Sequence, residues 1–263
     1  MIRLGAFVRG AEKGYRIDDP ELDQVLAYPS GDHKHLECVR RDLKSAGIDM
    51  IMAFGRIRIG CFSVLGKGCV GIVCLGSMRR GQVAVKVRRT DADRPDMLNE
   101  ARMHAYANSV SVGPRLLWQT ESALVMDYVN GLPIKEWLDT PYAQTSGRVM
   151  DMVSDLLDQC YRLDASGLDH GELSNSKRHA LVEEGGKAVI IDFESASASR
   201  RARNVVAMTG YLFCRGSLEN AMRRHFDWDA LRLRRCLKEY KESRSAMGYI
   251  DIREAIGLGR SQL

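Results

Sequence analysis

The sequence predicts an α+β fold in which a β-rich N-terminal part precedes a helical C-terminal part. Of its 263 residues, 45% are apolar, as in a globular chain. Alternating apolar runs separated by glycine-rich turns fill residues 61–88, a pattern typical of antiparallel strands. Apolar side chains recur every three or four residues from Val149 to Leu163, which predicts a long amphipathic helix.

The first 58 residues are predicted to form a small helical or winged-helix-like extension. Residues 21–28 are expected to form a short helix that stops at a Pro-Ser-Gly-Asp turn. Residues 35–46 place their apolar side chains on one helical face and predict a second helix. Two short apolar runs within 50–59, one on either side of Gly55, predict a hairpin.

Two further domains are expected after this extension. Residues 59–129 are predicted to form a β-rich domain with one helix at about 96–108. Its strands are expected at about 61–65, 70–76, 82–88, 115–119 and 122–127. Residues 130–263 are predicted to form a helical domain that ends in basic helices.

A glycine-rich turn, Leu-Gly-Lys-Gly-Cys-Val-Gly-Ile-Val, occupies residues 65–73. Gly66, Gly68 and Gly71 lack Cβ, so their backbone can approach a phosphate closely and adopt positive φ. The same spacing occurs in dinucleotide-binding folds, where a helix follows the turn, whereas a strand is predicted here. The turn therefore favours a phosphate-covering hairpin, and the alternative is an ordinary flexible hairpin.

A lysine closes the next predicted strand, in Val-Ala-Val-Lys at residues 83–86. A glycine-rich turn followed by such a lysine resembles protein kinases, in which the lysine binds the α- and β-phosphates of ATP. A helix carboxylate must fix Lys86, and Glu100 is the candidate; alternatively, Glu100 is a solvated helix residue. Residues 124–129 resemble the kinase hinge, whose backbone meets the adenine. The residues assigned to ATP binding are Gly66, Lys67, Gly68, Gly71, Val73, Lys86, Met126 and Tyr128.

Two segments after the long helix carry the candidate catalytic residues. Residues 168–177 read Leu-Asp-His-Gly-Glu-Leu-Ser-Asn-Ser-Lys, and residues 189–194 read Val-Ile-Ile-Asp-Phe-Glu. In order and spacing they match the catalytic loop and the D-F-G motif of kinases, with a glutamate in place of the glycine. Glu172 is assigned to orient the attacking hydroxyl. Asp192, at a strand end, is assigned to hold Mg²⁺. The alternative interpretation is that Asp192 is only a turn residue.

The triplet His170-Gly171-Glu172 is similar to the H-G-D of RIO-type atypical kinases and of the small kinase in the KEOPS tRNA-modifying complex. No A-P-E follows Asp192, so the peptide-binding subdomain of typical protein kinases is expected to be absent. The pairing of H-G-E-L-S-N-S-K with I-D-F-E-S-A-S resembles an archaeal group labelled as predicted serine/threonine kinases. That group resembles the archaeal RNA kinase that phosphorylates a ribose 2′-hydroxyl of an internal tRNA nucleotide.

This resemblance covers about residues 60–215. It implies a bilobal protein-kinase-like fold, with a β-rich small lobe and a helical large lobe. It also implies ATP as the phosphate donor, Mg²⁺ as the cofactor and tRNA as the substrate. Two other functions stay open: a serine/threonine protein kinase, and an inactive ATP-binding kinase within an RNA-processing assembly.

Two positions depart from the family pattern. Glu172 replaces an aspartate and is one methylene longer. Lys177 replaces the asparagine that binds a second Mg²⁺, and a protonated lysine has no lone pair for a cation. Either one metal is lost, or Asn175 substitutes as a ligand, or Lys177 itself neutralises phosphate charge.

The net charge of +5 is modest but unevenly distributed. Residues 195–263 carry fourteen basic and seven acidic side chains. A basic segment close to a predicted active site favours a polyanionic partner. The alternative interpretation is that these cations lie on a solvated helix face. The residues assigned to RNA binding are Lys177, Arg178, Arg200, Arg201 and Arg203.

The seven cysteines are scattered and never spaced as C-x-x-C. This argues against a disulfide framework or a structural zinc site and favours a cytoplasmic location. No apolar run approaches the length of a membrane span, and no secretory signal pattern is present, so no membrane association is expected.

Overall fold

The computed structural model describes residues 13–144, 146–214 and 218–259, apart from the side chain of Ser146. The fold is α+β, as the sequence predicted, and its sheets are antiparallel. The chain divides into two compact units. The first contains residues 13–105 and 114–129, and the second contains residues 106–113 and those from 130 onward. Residues 1–12 of the predicted N-terminal extension lie outside the described residues.

The first unit is built around an antiparallel sheet. Its elements are β1 (Gly14–Arg16), α1 (Asp23–Leu26), α2 (His33–Ser45), β2 (Met50–Met52), β3 (Ile57–Ile59), β4 (Phe62–Val64), β5 (Gly66–Lys67), β6 (Gly71–Met78), β7 (Gly81–Arg88), the start of α3 (Leu98–Ser109), β8 (Leu116–Gln119) and β9 (Ala123–Asp127). The main sheet has the order β1-β2-β6-β7-β9-β8, and β5 pairs with β6. A separate ladder joins β3 to β4.

The hairpin predicted around Gly55 is wrong. β2 pairs with β1 and β6, whereas β3 pairs with β4, so the two strands flanking Gly55 belong to different sheets. Gly55 has a φ of 125°, and a Cβ there would lie 2.0 Å from the carbonyl oxygen of Val64. The glycine is therefore required by a close crossing of the chain over β4 and not by a hairpin turn.

The helix predicted at residues 35–46 is confirmed as α2, whereas the one predicted at 21–28 is shorter. A 3-10 turn at Pro20–Leu22 leads into α1. Leu36 and Leu43 of α2 are buried in one cluster with Ile51 of the main sheet. Burying such a side chain contributes roughly 1.5–3 kcal/mol, so these helices are anchored on the sheet and brace it.

The second unit is mainly helical, with one small sheet. Its elements are β10 (Gly131–Pro133), α4 (Ile134–Leu138), α5 (Ser146–Ser166), β11 (Ala180–Glu183), β12 (Ala188–Ile190), α6 (Asn204–Phe213), α7 (Glu219–Met222), α8 (Ala230–Ser243) and α9 (Ala246–Ala255). The strands have the order β10-β11-β12. The predicted amphipathic helix is confirmed as α5, whose apolar positions from Val149 to Leu163 are fully buried. No helix in the described part of the chain has both the length and the apolar character needed to span a membrane.

Candidate functional site

The glycine-rich turn in the first unit joins β5 to β6. The Gly68 N–H donates to the carbonyl oxygen of Gly71 at 2.9 Å. Contrary to the sequence expectation, none of the three glycines has positive φ. A Cβ at Gly71 would lie 3.0 Å from Cγ of Lys86 and 3.0 Å from the carbonyl oxygen of Val87, so a side chain there needs these neighbours to shift. At Gly66 and Gly68 the nearest atoms would be 3.5 and 3.7 Å away, so the protein leaves room there for a side chain.

Lys86 and Glu100 form a buried ion pair in the same unit. Lys86 Nζ donates to Glu100 Oε1 at 2.7 Å. Their side chains are only 6% and 4% exposed. Lys86 lies near the end of β7, opposite Val73 of β6, and Glu100 lies in the first turn of α3. Charges buried this deeply are retained only when they are paired, so each side chain holds the other in place.

The turn between α1 and α2 contacts the glycine-rich turn through Tyr28. Lys67 Nζ donates to the Tyr28 hydroxyl at 2.5 Å and lies 4.4 Å from the centre of its ring. Arg89 lies over the same ring at 5.2 Å, and its Nη1 donates to the carbonyl oxygen of Gly68 at 2.7 Å. The segment before β2 therefore helps to set the position of the turn.

The two predicted hinge residues lie at the end of β9. Met126 is paired with Ala84 of β7 in the sheet. Tyr128 follows the strand and is half-buried, and burial raises the pKa of its hydroxyl. The structure thus brings the turn, Lys86 and the hinge segment onto neighbouring strands of one sheet.

In the second unit, two side chains hold the Glu172 carboxylate in one orientation. Its Oε1 accepts a hydrogen bond from Ser195 Oγ at 2.8 Å. Its Oε2 lies 2.8 Å from His179 Nε2. The Glu172 side chain is 37% exposed, so it remains open to a ligand while its direction is set. A carboxylate held in this way can accept the proton of a hydroxyl placed beside it.

Asp192 follows β12 and has a φ of 69°, in the left-handed region. That region is uncommon for residues other than glycine, and such conformations concentrate at functional sites. Asp192 and Glu194 offer carboxylate oxygens within 4.8 Å of each other. Asn175, the other predicted metal ligand, is exposed at the end of a 3-10 turn at Leu173–Asn175. All three side chains carry oxygen atoms of the kind that Mg²⁺ prefers.

A buried network anchors the loop that carries Glu172. The backbone N–H of His170 donates to Asn204 Oδ1 at 2.9 Å. Asn204 Nδ2 in turn donates to Asp164 Oδ1 at 2.8 Å. Asp164 Oδ2 accepts from the backbone N–H of Val205 and from the Tyr240 hydroxyl, each at 3.1 Å. Burial raises the pKa of Asp164, and these hydrogen bonds oppose that shift. The start of α6 is thereby joined to α5, α8 and the loop.

His170 links this loop to the segment between β12 and Asp192. Its ring is fully buried, and its Nε2 lies 3.0 Å from the carbonyl oxygen of Ile191. Burial lowers the pKa of the imidazole to about 4, so the ring is neutral near pH 7. The proton is therefore on Nε2, which donates it to Ile191.

The basic residues assigned to RNA binding differ in their surroundings. Arg200 Nε donates to Asp169 Oδ2 at 2.9 Å, and its Nη2 donates to the carbonyl oxygen of Ser195. Arg201 Nη2 donates to the last carbonyl groups of α8 at 2.7–2.8 Å. Lys177, Arg178 and Arg203 are exposed and have no ion pair among the described residues. Of the five residues assigned to RNA binding, these three thus have side chains that no described residue engages.

Sequence reasoning assigned no role in positioning Glu172 or its loop to His179, Ser195 or Asn204. Each acts through a contact made across 7 to 34 residues of chain, and no motif of adjacent residues signals such a contact. His179 and Ser195 come within two residues of the ends of the two matched segments, which was the available signal for them; Asn204 lies ten residues beyond the second segment.

No family model matches the chain. An uncharacterized protein of Methanocaldococcus jannaschii is 27% identical over 120 residues, which cover 44% of this chain and 99% of that protein. The chain is therefore similar, over less than half of its length, to an archaeal protein whose name states no activity.

Proposed function

We propose that the protein is an ATP-dependent RNA kinase with a RIO-like bilobal fold. Its acceptor is a ribose 2′-hydroxyl of a tRNA nucleotide. The observation that carries the proposal is the buried ion pair between Lys86 of β7 and Glu100 of α3, with 2.7 Å between Nζ and Oε1, since β7 is the neighbour of the strand that follows the glycine-rich turn. A lysine fixed by a carboxylate is a positioned point charge of the kind that binds nucleotide phosphates.

The second unit supports the same reaction with its own groups. Glu172 orients the acceptor hydroxyl and accepts its proton while the hydroxyl oxygen forms a bond to the γ-phosphorus. The bond between the γ-phosphorus and the oxygen retained by ADP breaks in the same step. Glu172 then releases the proton to water. The hydrogen bond from Ser195 and the 2.8 Å contact with His179 support this role, because they set the direction of the carboxylate.

The donor set of the second unit fits a magnesium ion. Asp192, Glu194 and Asn175 supply hard oxygen atoms, and the first two are close enough to share an ion. These residues would hold Mg²⁺, which would supply neutralisation of the charge on the transferred phosphoryl group. Lys177 is exposed and adds positive charge without serving as a ligand.

The distribution of charge favours RNA over a protein acceptor. Residues 195–263 contain twice as many basic as acidic side chains. Arg234, Lys238 and Lys241 of α8 are exposed and have no side-chain partner among the described residues. Unpaired cations bind a phosphate backbone by releasing its counterions.

A labelling experiment tests the proposal. The full chain is incubated with γ-labelled ATP, Mg²⁺, bulk tRNA and casein, beside the variants Lys86→Met and Asp192→Asn. Lys187→Met is the matched control, because Lys187 is an exposed lysine in the turn before β12. We expect label on tRNA with the wild type and the control, reduced by about 100-fold or more in the two site variants.

Circular dichroism establishes that each variant is folded, and ATP binding is measured separately. Label on casein alone would identify a protein kinase instead. Bound ATP with no transfer to either acceptor would identify an inactive kinase. Either result would overturn the RNA-kinase proposal.

A further inference from the structure

A cavity of about 340 Å³ lies in the second unit beside the backbone of Glu172. Gly171 and Leu173, the two neighbours of Glu172, line it, and so do Gly210 and Tyr211 of α6. We propose that this cavity binds the acceptor nucleotide of the RNA, with its base stacked on Tyr211 and its phosphates held by cations at the rim. This inference rests on the proposed RNA-kinase function and adds the subsite that selects the acceptor.

The charges around the cavity favour an anionic ligand. Arg203 and Lys241 line it, and neither side chain has an ion pair or hydrogen bond among the described residues. Asp169 also lines it, but that carboxylate is buried and is paired with Arg200 at 2.9 Å. The two cations are thus left to interact with a phosphate group.

The aromatic wall favours a nucleotide over other anions. Tyr211 is half-buried, and its hydroxyl has no hydrogen bond among the described residues. Val206 and Ala207 add apolar surface to the same wall. Aromatic rings beside cations are the combination that binds single-stranded nucleic acid, because every base has a face that can stack.

The size of the cavity sets a limit on what enters it. Its volume falls within the range of about 300–1,000 Å³ that is usual for small-molecule sites. One nucleotide fits such a space and a base-paired stem does not. The acceptor nucleotide must therefore be single-stranded or unstacked from its neighbours when its ribose approaches Glu172.

The part of the cavity wall formed by Gly171, next to Glu172 in the chain, is already in place. Gly171 has a φ of 92°, and a Cβ there would lie 2.6 Å from Arg200 Nη2 and 2.8 Å from the carbonyl oxygen of Ser195. The loop is thus packed closely against the segment after Asp192. A preformed wall reduces the ordering needed on binding and places the bound ribose consistently.

A row of cations on α8 leads to the cavity. Arg234, Lys238 and Lys241 are spaced by four and three residues, so they lie along one helical face, and Lys241 itself lines the cavity. An RNA chain presents a phosphate at every nucleotide, so its backbone can follow this row while one nucleotide occupies the cavity. A peptide has no such regular charge, which favours RNA as the occupant.

Filling the cavity is the sharpest test. Gly210 lines the cavity, and a Cβ there meets no atom within 4 Å, so Gly210→Leu is expected to extend into the cavity, and it improves helix propensity. Gly147→Leu is the matched control, because Gly147 is an exposed helical glycine of α5 with equally open space. We expect Gly210→Leu to raise the KM for tRNA by about tenfold or more and to leave the KM for ATP unchanged.

Two variants of Tyr211 separate stacking from hydrogen bonding. Tyr211→Leu removes the ring and should weaken binding of a labelled mixed-sequence single-stranded RNA by about 5- to 100-fold, measured by fluorescence anisotropy without ATP. Tyr211→Phe keeps the ring and should bind as the wild type does. The anisotropy readout does not depend on catalysis.

The outcomes distinguish the two proposals. If the wild type transfers no phosphate to RNA, the proposed function fails, and this inference fails with it. If the wild type phosphorylates tRNA while Gly210→Leu and Tyr211→Leu keep a wild-type KM and RNA affinity, only the cavity inference is overturned. If Gly210→Leu impairs labelling of casein and not of tRNA, the cavity binds a peptide, and the inference is again overturned.

Discussion

Gly68 and Gly71 belong to one motif, but they differ in how much space the structure leaves for a side chain. A Cβ at Gly71 would press against the Lys86 side chain at 3.0 Å, whereas a Cβ at Gly68 would meet only a backbone oxygen at 3.7 Å. Neither residue has positive φ. The requirement at Gly71 therefore comes from the fold, and any requirement at Gly68 comes from a ligand that approaches the turn.

This difference predicts opposite effects of two alanine substitutions. Gly68→Ala should leave the free energy of unfolding unchanged within about 0.5 kcal/mol and should weaken ATP binding several-fold. Gly71→Ala should destabilise the chain by about 1–3 kcal/mol, because Lys86 must shift. Urea denaturation and ATP titration check the two quantities separately. An unchanged ATP affinity in Gly68→Ala would argue against phosphate binding at the turn.

For Glu172, too, the sequence motif predicts the position of the residue but not the orientation of its carboxylate. The position of the carboxylate was predicted from the His-Gly-Glu triplet, but its direction is set by Ser195 and His179. Those contacts depend on how two loops meet in space. Neither residue type nor spacing signals them, so the sequence alone assigned no role to either side chain.

At the scale of elements, His170 connects the loop after α5 with the end of β12. The neutral ring is buried between them and donates to Ile191. Its pKa is about 4 in the folded chain and about 6.5 when unfolded. A group whose pKa is lowered by folding stabilises the fold fully above the unfolded value, and that stabilisation is lost as the pH falls.

Stability should therefore decrease between pH 6.5 and about 4 by up to roughly 3 kcal/mol from this residue. His170→Gln retains an N–H donor for Ile191 and cannot titrate, so its stability should fall less over the same range. Urea denaturation of both chains at pH 7.5, 6 and 5 measures the difference. Parallel pH profiles would show that His170 is not the group responsible.

Among the secondary-structure elements, one helix was predicted correctly from the sequence and one hairpin was not. The helix α5 was predicted because its apolar residues repeat at helical spacing, and all of them are buried. The hairpin around Gly55 was wrong because β2 pairs with β1 and β6, which are distant in the chain, whereas β3 pairs with β4, the next strand. Helical periodicity is a local property, whereas strand pairing is decided by segments far away in the chain.

For the whole molecule, the uneven charge is the property that bears most on the proposed substrate. The exposed cations Arg234 and Lys238 lie on α8 and have no ion pair among the described residues. Each cation that contacts a phosphate contributes roughly 0.7–0.9 to the slope of log affinity against log salt concentration. The slope of tRNA affinity against salt concentration therefore reports how many cations contact RNA phosphates.

Lys238→Glu should reduce that slope by about 1, and the double variant with Arg234→Glu by about 2. Lys187→Glu makes the same charge change on an exposed lysine of the β11–β12 turn and should leave the slope unaltered. Filter binding of tRNA over a series of salt concentrations gives all three values. Equal slopes in the wild type and the double variant would exclude α8 from the RNA-binding surface.

The sequence by itself determined the α+β class, the helix α5 and the candidate residues of the glycine-rich turn and the two loop segments. These follow from composition, periodicity and the order of short motifs, all of which are carried by neighbouring residues. Only the tertiary structure decided that Lys86 and Glu100 are buried together, that Asp164 and Asn204 anchor the loop, and that a cavity lies beside Glu172. The reason is that burial, ion pairing and enclosed space arise when segments distant in the chain pack together.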